Sequence, residues 1–256
     1  KQKKEKKKKR FSVVSSSKKL DKLQRRLITS ESPKSPVSEA YRTLRTNLLY
    51  SSVGSDNKKV KVVVSSPGPG EGKTTTIINL AITFANLGKK TILIDADLRR
   101  PVLHKVFNES KNPGLTHCLC DKDVSYKDIV KSTEIENLSL ITCGVIPPNP
   151  SELLGSSEMK DLIDDLSKEY DTILLDSPPI IAVTDAALLS KLSDHFLMVV
   201  RVGVTEKQGL NRSVLSLNNI GSNITGLVLN ALDYNNSYYY SNYYYYQNYA
   251  SDSDDT

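Results

Sequence analysis

The chain has 256 residues and a mass of 28.4 kDa, enough for one large globular domain with appended segments. Its formal net charge is +6, but Lys1–Leu27 carries 13 basic and two acidic side chains, so the remainder is mildly acidic, with 22 basic and 27 acidic residues. This distribution argues against a generally basic nucleic-acid-binding domain. No apolar stretch approaches the ~18 to 20 residues that span a bilayer, and three cysteines without a C-x-x-C pair support neither a disulfide framework nor a structural zinc site. We expect a cytosolic protein.

The first predicted region is a tether over residues 1–36, which is basic, then serine-rich, and ends at two prolines. We expect it to be disordered. Its first ten residues include eight Lys and Arg, which favours contact with an anionic membrane surface over nucleic acid. Next, Ser38 is a suitable N-cap for a helix over Glu39–Tyr50, where apolar residues recur at helical spacing.

Strands and helices then alternate through residues 37–232, which we predict to form one domain. Strands are predicted at Val60–Ser65, Thr91–Asp95, Leu138–Thr142, Thr172–Asp176, His195–Val202 and Ile224–Asn230. Helices are predicted at Lys73–Leu87, Ser157–Lys168, Asp185–Leu192 and Glu206–Asn219. Short, continuously apolar strands separated by helices predict an α/β doubly wound, mostly parallel sheet with both faces covered.

A phosphate-binding loop is predicted between the first of these strands and the helix that follows it. Glycines turn backbone N–H groups toward phosphate oxygens, Lys73 neutralises β/γ-phosphate charge, and the Thr74 hydroxyl is a Mg²⁺ ligand. The pattern G-x-x-x-x-G-K-[ST] is not fully met, because Pro67 stands at its first position. We assign nucleotide binding to Gly68, Gly70, Glu71, Gly72, Lys73, Thr74 and Thr75.

Two further apolar strands end in carboxylates. Asp95 and Asp97 follow one strand with the i, i+2 spacing that places both on one face, and Asp176 ends another. A single aspartate at a strand end is more often a helix cap or turn residue. The carboxyl ends of parallel strands share one crevice, however, so we predict that these aspartates meet the phosphate loop there.

Together, the phosphate loop, the D-x-D-x-R segment ending at Arg99, the D-S-P-P segment ending at Pro179 and the terminal tyrosines resemble the bacterial tyrosine kinases (BY-kinases) of capsular and exopolysaccharide synthesis. The resemblance covers about Pro33 to Tyr249, and the three motifs correspond to that family's Walker A, Walker A′ and Walker B. It implies a P-loop NTPase fold of the MinD/ParA-like type that uses ATP and Mg²⁺.

The resemblance also implies roles for individual residues. Lys73 and Thr74 bind nucleotide phosphate and Mg²⁺, Asp95 and Asp97 act in metal binding and in activating the acceptor hydroxyl, and Asp176 supports the metal. A loose first position of Walker A, here Pro67, fits the family. We therefore take Lys73, Asp95, Asp97 and Asp176 as catalytic residues, and Thr74, Asp95, Asp97 and Asp176 as metal ligands.

The predicted helix over Glu39–Tyr50 carries a second family feature. Glu39, Arg42 and Arg45 match the family's E-x-x-R-x-x-R subunit-contact motif, which implies a homo-oligomer. Without the resemblance, an intrahelical Glu39–Arg42 pair worth a few tenths of a kcal/mol would be the preferred interpretation.

The C-terminal segment 233–256 is predicted to be a disordered, tyrosine-rich tail, because it lacks aliphatic residues to bury. It has none of the basic residues that a single-stranded nucleic-acid platform needs, so we expect no nucleic-acid partner. The resemblance makes its tyrosines phosphoacceptors of an autokinase acting between subunits: Tyr234, Tyr238, Tyr239, Tyr240, Tyr243, Tyr244, Tyr245, Tyr246 and Tyr249.

The family's setting implies an activating membrane adaptor, of which Lys1–Leu27 could itself be the cytoplasmic tail, and a location at the inner face of the cell membrane. The expected output is control of capsule or exopolysaccharide synthesis and export. The alternative is a MinD/ParA-like positioning ATPase, which shares the sheet and Walker A. Those ATPases carry a signature lysine in place of Pro67 and usually a glutamine in place of Arg99, and neither is present here.

Overall fold

The computed structural model describes residues 27–51, 59–222 and 224–232. The predictions of a basic segment before residue 27 and of a disordered, tyrosine-rich segment after residue 232 lie outside these residues.

A seven-stranded sheet is the centre of the described fold. Its spatial order is β3-β4-β2-β5-β1-β6-β7, and β3 is antiparallel to β4 while the other neighbours are parallel. The strands are β1 Val60–Ser65, β2 Thr91–Asp95, β3 Val130–Ser132, β4 Leu138–Ile141, β5 Thr172–Asp176, β6 His195–Arg201 and β7 Gly226–Asn230. Strands β2 and β5 are buried at every residue, as expected for Ile- and Leu-rich strands covered on both faces.

Helices cover both faces of this sheet. In the described ranges they are α1 Ile28–Glu31, α2 Pro36–Ser51, α3 Lys73–Ala85, α4 Leu103–Val106, α5 Leu115–Cys120, α6 Tyr126–Ile129, α7 Pro150–Leu154, α8 Ser157–Glu169, α9 Asp185–Ser190 and α10 Lys207–Asn219. One apolar cluster joins α3 to the sheet, and a second joins α8, α9 and Leu217 of α10 to it. The doubly wound, mostly parallel architecture predicted from the sequence is confirmed.

The long elements lie where the sequence predicts them, and β1, β2 and β5 have the predicted bounds. Helix α2 begins earlier, at Pro36, because proline fits the first helical turn, where the backbone N–H has no intrahelical acceptor. The prediction that Ser38 is the N-cap is therefore wrong. Its hydroxyl instead donates to the Ser32 carbonyl (2.7 Å).

The stretch between β2 and α8 differs most from the prediction. It contains four short helices, α4 to α7, and the three-residue edge strand β3, none of which was predicted. Each spans six residues or fewer, which is too short for an apolar repeat to show helical or strand periodicity.

The packed part of the chain also begins before the predicted boundary at residue 36. Thr29 of α1 is buried, and both its backbone N–H and its hydroxyl donate to Asn79 Oδ1 of α3, each at 2.9 Å. This polar anchor fixes α1 on the domain. Among the helices of residues 27–51, 59–222 and 224–232, none combines the length and apolar character of a bilayer-spanning helix.

Candidate nucleotide-binding and catalytic site

The phosphate loop connects β1 to α3, and its first half is fixed to the segment after β5. Ser65 Oγ donates to the Pro178 carbonyl (2.8 Å), and the Ile180 N–H donates to the Ser66 carbonyl (2.9 Å). Strands β1 and β5 are direct neighbours, which is why their carboxyl ends reach each other. These bonds hold the phosphate loop beside Asp176.

The second half of the phosphate loop is fixed by two polar residues that the sequence analysis missed. Arg201 Nη1 donates to the Gly70 carbonyl (3.1 Å), and Asn230 Nδ2 donates to the Glu71 carbonyl (2.9 Å). Each is the last residue of a strand, β6 and β7 respectively, so a polar residue at the end of an apolar strand was the signal available. The loop is thereby held from both sides.

Gly72 is the residue at which the loop turns into α3. Its φ of +100° lies in the left-handed region, and a β-carbon there would collide with Asn230 Nδ2. Lys73 begins the helix directly afterwards, with Thr74 and Thr75 in the first turn. The backbone N–H groups and the positive end of the helix dipole therefore face the crevice, which suits a bound phosphate.

Lys73 is the centre of the charged part of the site. Its Nζ lies 2.9 Å from Asp97 Oδ2 and 3.8 Å from Asp176 Oδ1. Burial by itself lowers the pKa of Lys73, but the negative charges of Asp176 and Asp97 outweigh it and raise the pKa above its usual value. Lys73 is therefore protonated and neutralises part of the carboxylate charge.

Thr74 and Asp176 complete this cluster. The Thr74 hydroxyl donates to Asp176 Oδ2 (2.7 Å), which orients both side chains. The structure therefore brings the predicted residues Lys73, Thr74, Asp97 and Asp176 into direct contact. The prediction that the ends of β1, β2 and β5 converge on one crevice is correct.

Asp95 is fully buried, and one of its two oxygens contacts α4 rather than Lys73. It pairs in register with Asp176 of the neighbouring strand, yet its Oδ2 accepts the N–H groups of Val102 (3.1 Å) and Leu103 (3.0 Å) at the start of α4. Its other oxygen, Oδ1, is buried and has no hydrogen-bond partner among the described residues. Burial, and after it the negative charge of Asp176, raise the pKa of the Asp95 carboxyl to about 8.

The carboxylates of this site are candidate ligands for a divalent cation. The described ranges contain no ready-made group of three or more His, Cys, Asp or Glu side chains able to hold a metal ion. Mg²⁺ in nucleotide sites needs no such group, since it takes one or two carboxylates together with phosphate oxygens and water. The unpartnered Asp95 oxygen and an excess of carboxylates over lysine are consistent with a cation there.

The loop that carries Asp97 is tied to the far side of the crevice by an ion pair. Arg99 Nε and Nη2 lie 2.9 and 3.1 Å from the two oxygens of Asp185, a fully buried residue of α9. The Ser151 hydroxyl also donates to Asp185 (2.6 Å). Arg99 is recognisable from its motif in the sequence, but no sequence signal indicates its partner Asp185, which lies 86 positions along the chain.

The predicted subunit-contact residues make contacts within their own chain. Arg42 pairs with Glu39 one turn earlier on α2 (2.6 Å), as the intrahelical interpretation expects. Arg45 Nη1 donates to the Thr83 carbonyl of α3 (2.7 Å). The role of these three residues between subunits stays a prediction.

A cavity of about 660 Å³ lies away from this site. Its lining includes Lys90, Asn137 and Tyr170, which precede β2, β4 and β5. It therefore opens at the amino ends of the strands, opposite the phosphate loop.

Comparisons with known proteins agree with the geometry. Residues 59–227 match the family model described as "AAA domain". The chain is 42% identical over 208 residues to the tyrosine-protein kinase YwqD of Bacillus subtilis, covering 81% of this chain and 86% of that protein. Among solved structures, the chimerical protein CapA2B2 (38% identity, TM-score 0.75) covers 80% of this chain and 88% of that one. The kinase domain of Escherichia coli tyrosine kinase ETK (32% identity, TM-score 0.77) covers 82% of each chain.

The phosphate loop, the parallel sheet and the facing carboxylates define a P-loop nucleotide-binding enzyme. With these relatives, the chain belongs to the bacterial tyrosine kinase family and is a protein-tyrosine kinase. The septum site-determining protein MinD of Pyrococcus horikoshii, at 21% identity and a TM-score of 0.56, shows a shared fold alone. The alternative that this chain is a MinD/ParA-like positioning ATPase is therefore supported only by a distant similarity of fold.

The position of Gly72 generates a prediction about nucleotide binding. Gly72→Ala strains the backbone at φ +100° and displaces Asn230 from the loop, so we expect ATP to bind about tenfold to hundredfold more weakly. Titration with a fluorescent ATP analogue measures this. Gly88→Ala, at a φ of +78° with open space around it, is the matched control and leaves the affinity unchanged. Equal affinity of Gly72→Ala and wild type would contradict the geometry.

The raised pKa of Asp95 generates a prediction about stability. Its pKa rises from the usual 3.8 to about 8, so its stabilising contribution is complete below pH 3.8 and is lost as pH rises to about 8. Asp95→Asn stays uncharged, so its stability relative to wild type should increase between pH 5 and pH 8.5.

Urea unfolding of the nucleotide-free protein in a chelator measures this difference. Asp164→Asn, at an exposed position of α8, serves as the control. If the difference in unfolding free energy between Asp95→Asn and wild type is the same at pH 5 and pH 8.5, titration of the Asp95 carboxyl does not affect stability, and the prediction is wrong.

Proposed function

We propose that this tyrosine kinase is an ATP- and Mg²⁺-dependent autokinase that phosphorylates its own C-terminal tyrosine cluster between subunits. The observation that carries the proposal is the contact of Lys73 with both Asp97 and Asp176 beside a phosphate loop. It combines the cation that phosphoryl transfer needs with carboxylates for metal binding and for the proton of the acceptor.

Lys73 is the residue whose partners change in this proposal. In the described structure it neutralises Asp97 and Asp176, and with nucleotide bound its charge turns to the β/γ-phosphates. Asp97 Oδ2 is then released beside the transferred phosphoryl group. Its other oxygen stays fixed by the Arg100 N–H (2.9 Å), which keeps the carboxylate oriented.

The chemical step follows from these positions. The tyrosine oxygen forms a bond to the γ-phosphorus, the bond from that phosphorus to the β–γ bridging oxygen breaks, and the phenolic proton passes to Asp97. ADP leaves with the bridging oxygen. Lys73 and the N–H groups at the start of α3 stabilise the charge that develops on the phosphoryl oxygens.

Mg²⁺ supplies charge neutralisation and orientation of the phosphates when bound. Thr74 and Asp176 are placed to hold it, since they already share a hydrogen bond at the end of β5. We assign Asp97 and the unpartnered oxygen of Asp95 to the same ion or its water shell.

The acceptors in this proposal are the nine tyrosines between Tyr234 and Tyr249. The chain leaves β7 at the same sheet edge as the phosphate loop, because both follow the carboxyl ends of parallel strands. Strand β7 is four positions from β2, the strand that Asp97 follows, about 19 Å at the usual strand spacing. Reaching back over its own crevice requires an immediate reversal, which favours a neighbouring subunit as the kinase.

The remaining parts of the proposal come from the family. Glu39, Arg42 and Arg45 contact a neighbouring subunit, the basic segment Lys1–Leu27 lies at an anionic membrane surface, and a membrane adaptor activates the kinase. The kinase acts on the cytoplasmic side of the membrane, and its cellular role is to control the synthesis and export of capsule or exopolysaccharide. The support for these is the resemblance of the motifs to kinases of those pathways.

A mixing experiment tests transfer between subunits. A Lys73→Met chain of residues 1–256, which lacks the phosphate-binding cation, is incubated with ATP, Mg²⁺ and an active chain truncated after Leu232. We expect phosphotyrosine on the longer chain in the mixture and none when Lys73→Met is incubated alone.

The control is a Lys73→Met chain whose nine tail tyrosines are replaced by phenylalanine, which should stay unmodified. Absence of phosphate on the inactive chain, when the two chains co-assemble and the wild-type chain autophosphorylates, would refute transfer between subunits. Absence of phosphotyrosine in the wild-type chain as well would refute the autokinase proposal itself.

A further inference from the structure

The loop between β4 and α7 presents two aliphatic side chains at the edge of the sheet that carries the catalytic site. Val145 is 56% exposed and Ile146 is 50% exposed, and the half-buried Pro147 and the exposed Pro148 follow them. Uncovered aliphatic side chains in a loop beside an active site suggest a contact with a ligand or partner.

This loop is held rigidly at its start. The Thr116 hydroxyl of α5 donates to the Val145 carbonyl (2.9 Å), and the Gly144 N–H donates to the Lys111 carbonyl (3.2 Å). A β-carbon on Gly144 would lie 2.5 Å from Thr116 Oγ1, so the loop is packed closely against α5. The two aliphatic side chains are therefore exposed from a fixed backbone.

The end of the loop is joined directly to the catalytic segment. Arg99 Nη2 donates to Ser151 Oγ (3.1 Å), the second residue of α7, and Ser151 in turn donates to Asp185. Arg99 lies two residues after Asp97. The same ion pair that holds Asp97 therefore also positions the loop that carries Val145 and Ile146.

The topology indicates which substrate approaches from this side. The phosphate loop follows β1, and its contacts with Arg201 and Asn230 occupy the β6 and β7 side of the crevice. Asp95 and Asp97 lie on the opposite side, at the end of β2, next to β4. A hydroxyl group that reaches Asp97 without crossing the phosphate loop comes over the β4 side.

The composition of the tyrosine segment fits such a surface. Residues 234–249 consist of Tyr, Asn, Ser and Gln alone, so they offer neither charge nor aliphatic groups, and the tyrosine rings are their apolar surface. Aromatic rings pack well on aliphatic side chains and on proline, while the phenolic oxygen stays available.

We propose that Val145 and Ile146, with Pro147 and Pro148, form a docking surface for the tyrosine segment 234–249 of a second copy of this chain. The inference rests on the proposed function and deepens it, because it names the surface that selects the acceptor. The rings neighbouring the acceptor tyrosine pack on this surface, and the acceptor hydroxyl is directed to Asp97.

The test places substitutions on the kinase and keeps the substrate constant. The kinase is the chain truncated after Leu232, and the substrate is the Lys73→Met chain with its tail. Val145→Ser/Ile146→Ser in the kinase should raise the KM for the substrate chain about tenfold, because two apolar contacts are lost. The KM for ATP should not change.

Two further variants serve as controls. Leu227→Ser/Leu229→Ser alters two side chains of β7 that are equally exposed, at 51% and 53%, and should leave the KM for the substrate chain unchanged. Val145→Ile/Ile146→Val keeps the surface aliphatic and should behave as wild type. An unchanged KM in the double serine variant, or an equal rise in the β7 variant, would overturn the docking surface.

A binding measurement separates this inference from the proposed function. A synthetic peptide of residues 234–249 should shift the methyl resonances of Val145 and Ile146 in the truncated chain, and not those of Leu227 and Leu229. No shift at Val145 and Ile146 overturns the docking surface, whether or not phosphate is transferred. Failed transfer with shifted methyl resonances counts against the autokinase proposal and not against the surface.

Discussion

The contact of Lys73 with Asp97 and Asp176 is the interaction on which the site depends. Three nearly inaccessible carboxylates meet at the ends of β2 and β5, and one buried lysine neutralises part of their charge. Burial, and after it the negative charge of Asp176, raise the pKa of Asp95 to about 8. The site therefore suits a metal–nucleotide complex. The metal ion would replace Lys73 in neutralising the carboxylates, and Lys73 would then bind the nucleotide phosphates.

The sheet is what makes this arrangement possible, and most of it could be predicted from the sequence. Continuous runs of Val, Ile and Leu define β1, β2 and β5, and α3 follows a recognisable glycine-rich turn. Parallel strands bring their carboxyl ends together, so Lys73, Asp97 and Asp176 could be assigned to one crevice without coordinates. The stretch between β2 and α8 could not be predicted, because its helices and β3 are too short to show periodicity.

The contacts that position the predicted catalytic residues were less accessible to sequence reasoning. Arg201 and Asn230 hold the phosphate loop from strands more than 100 residues away, and Asp185 is 86 positions from Arg99. A polar residue at the end of an apolar strand marks Arg201 and Asn230 individually, but no local pattern identifies their partners. The contacts of Asp95 could not be predicted either. Its i, i+2 spacing from Asp97 predicts a shared face, but one of its oxygens accepts backbone N–H groups of α4. Spacing identifies which carboxylates are present, but tertiary packing decides what each of them contacts.

The dependence of ATP affinity on Mg²⁺ tests the central account most directly. Moving Lys73 from the carboxylates to phosphate without a replacement cation leaves Asp97 and Asp176 uncompensated, so calorimetry should show ATP binding at least about tenfold more weakly in a chelator than with Mg²⁺. In Asp97→Asn, which has one carboxylate fewer, removal of Mg²⁺ should weaken binding clearly less. An equal loss of affinity in both proteins would contradict the account, because the charge around Lys73 would then not govern nucleotide binding.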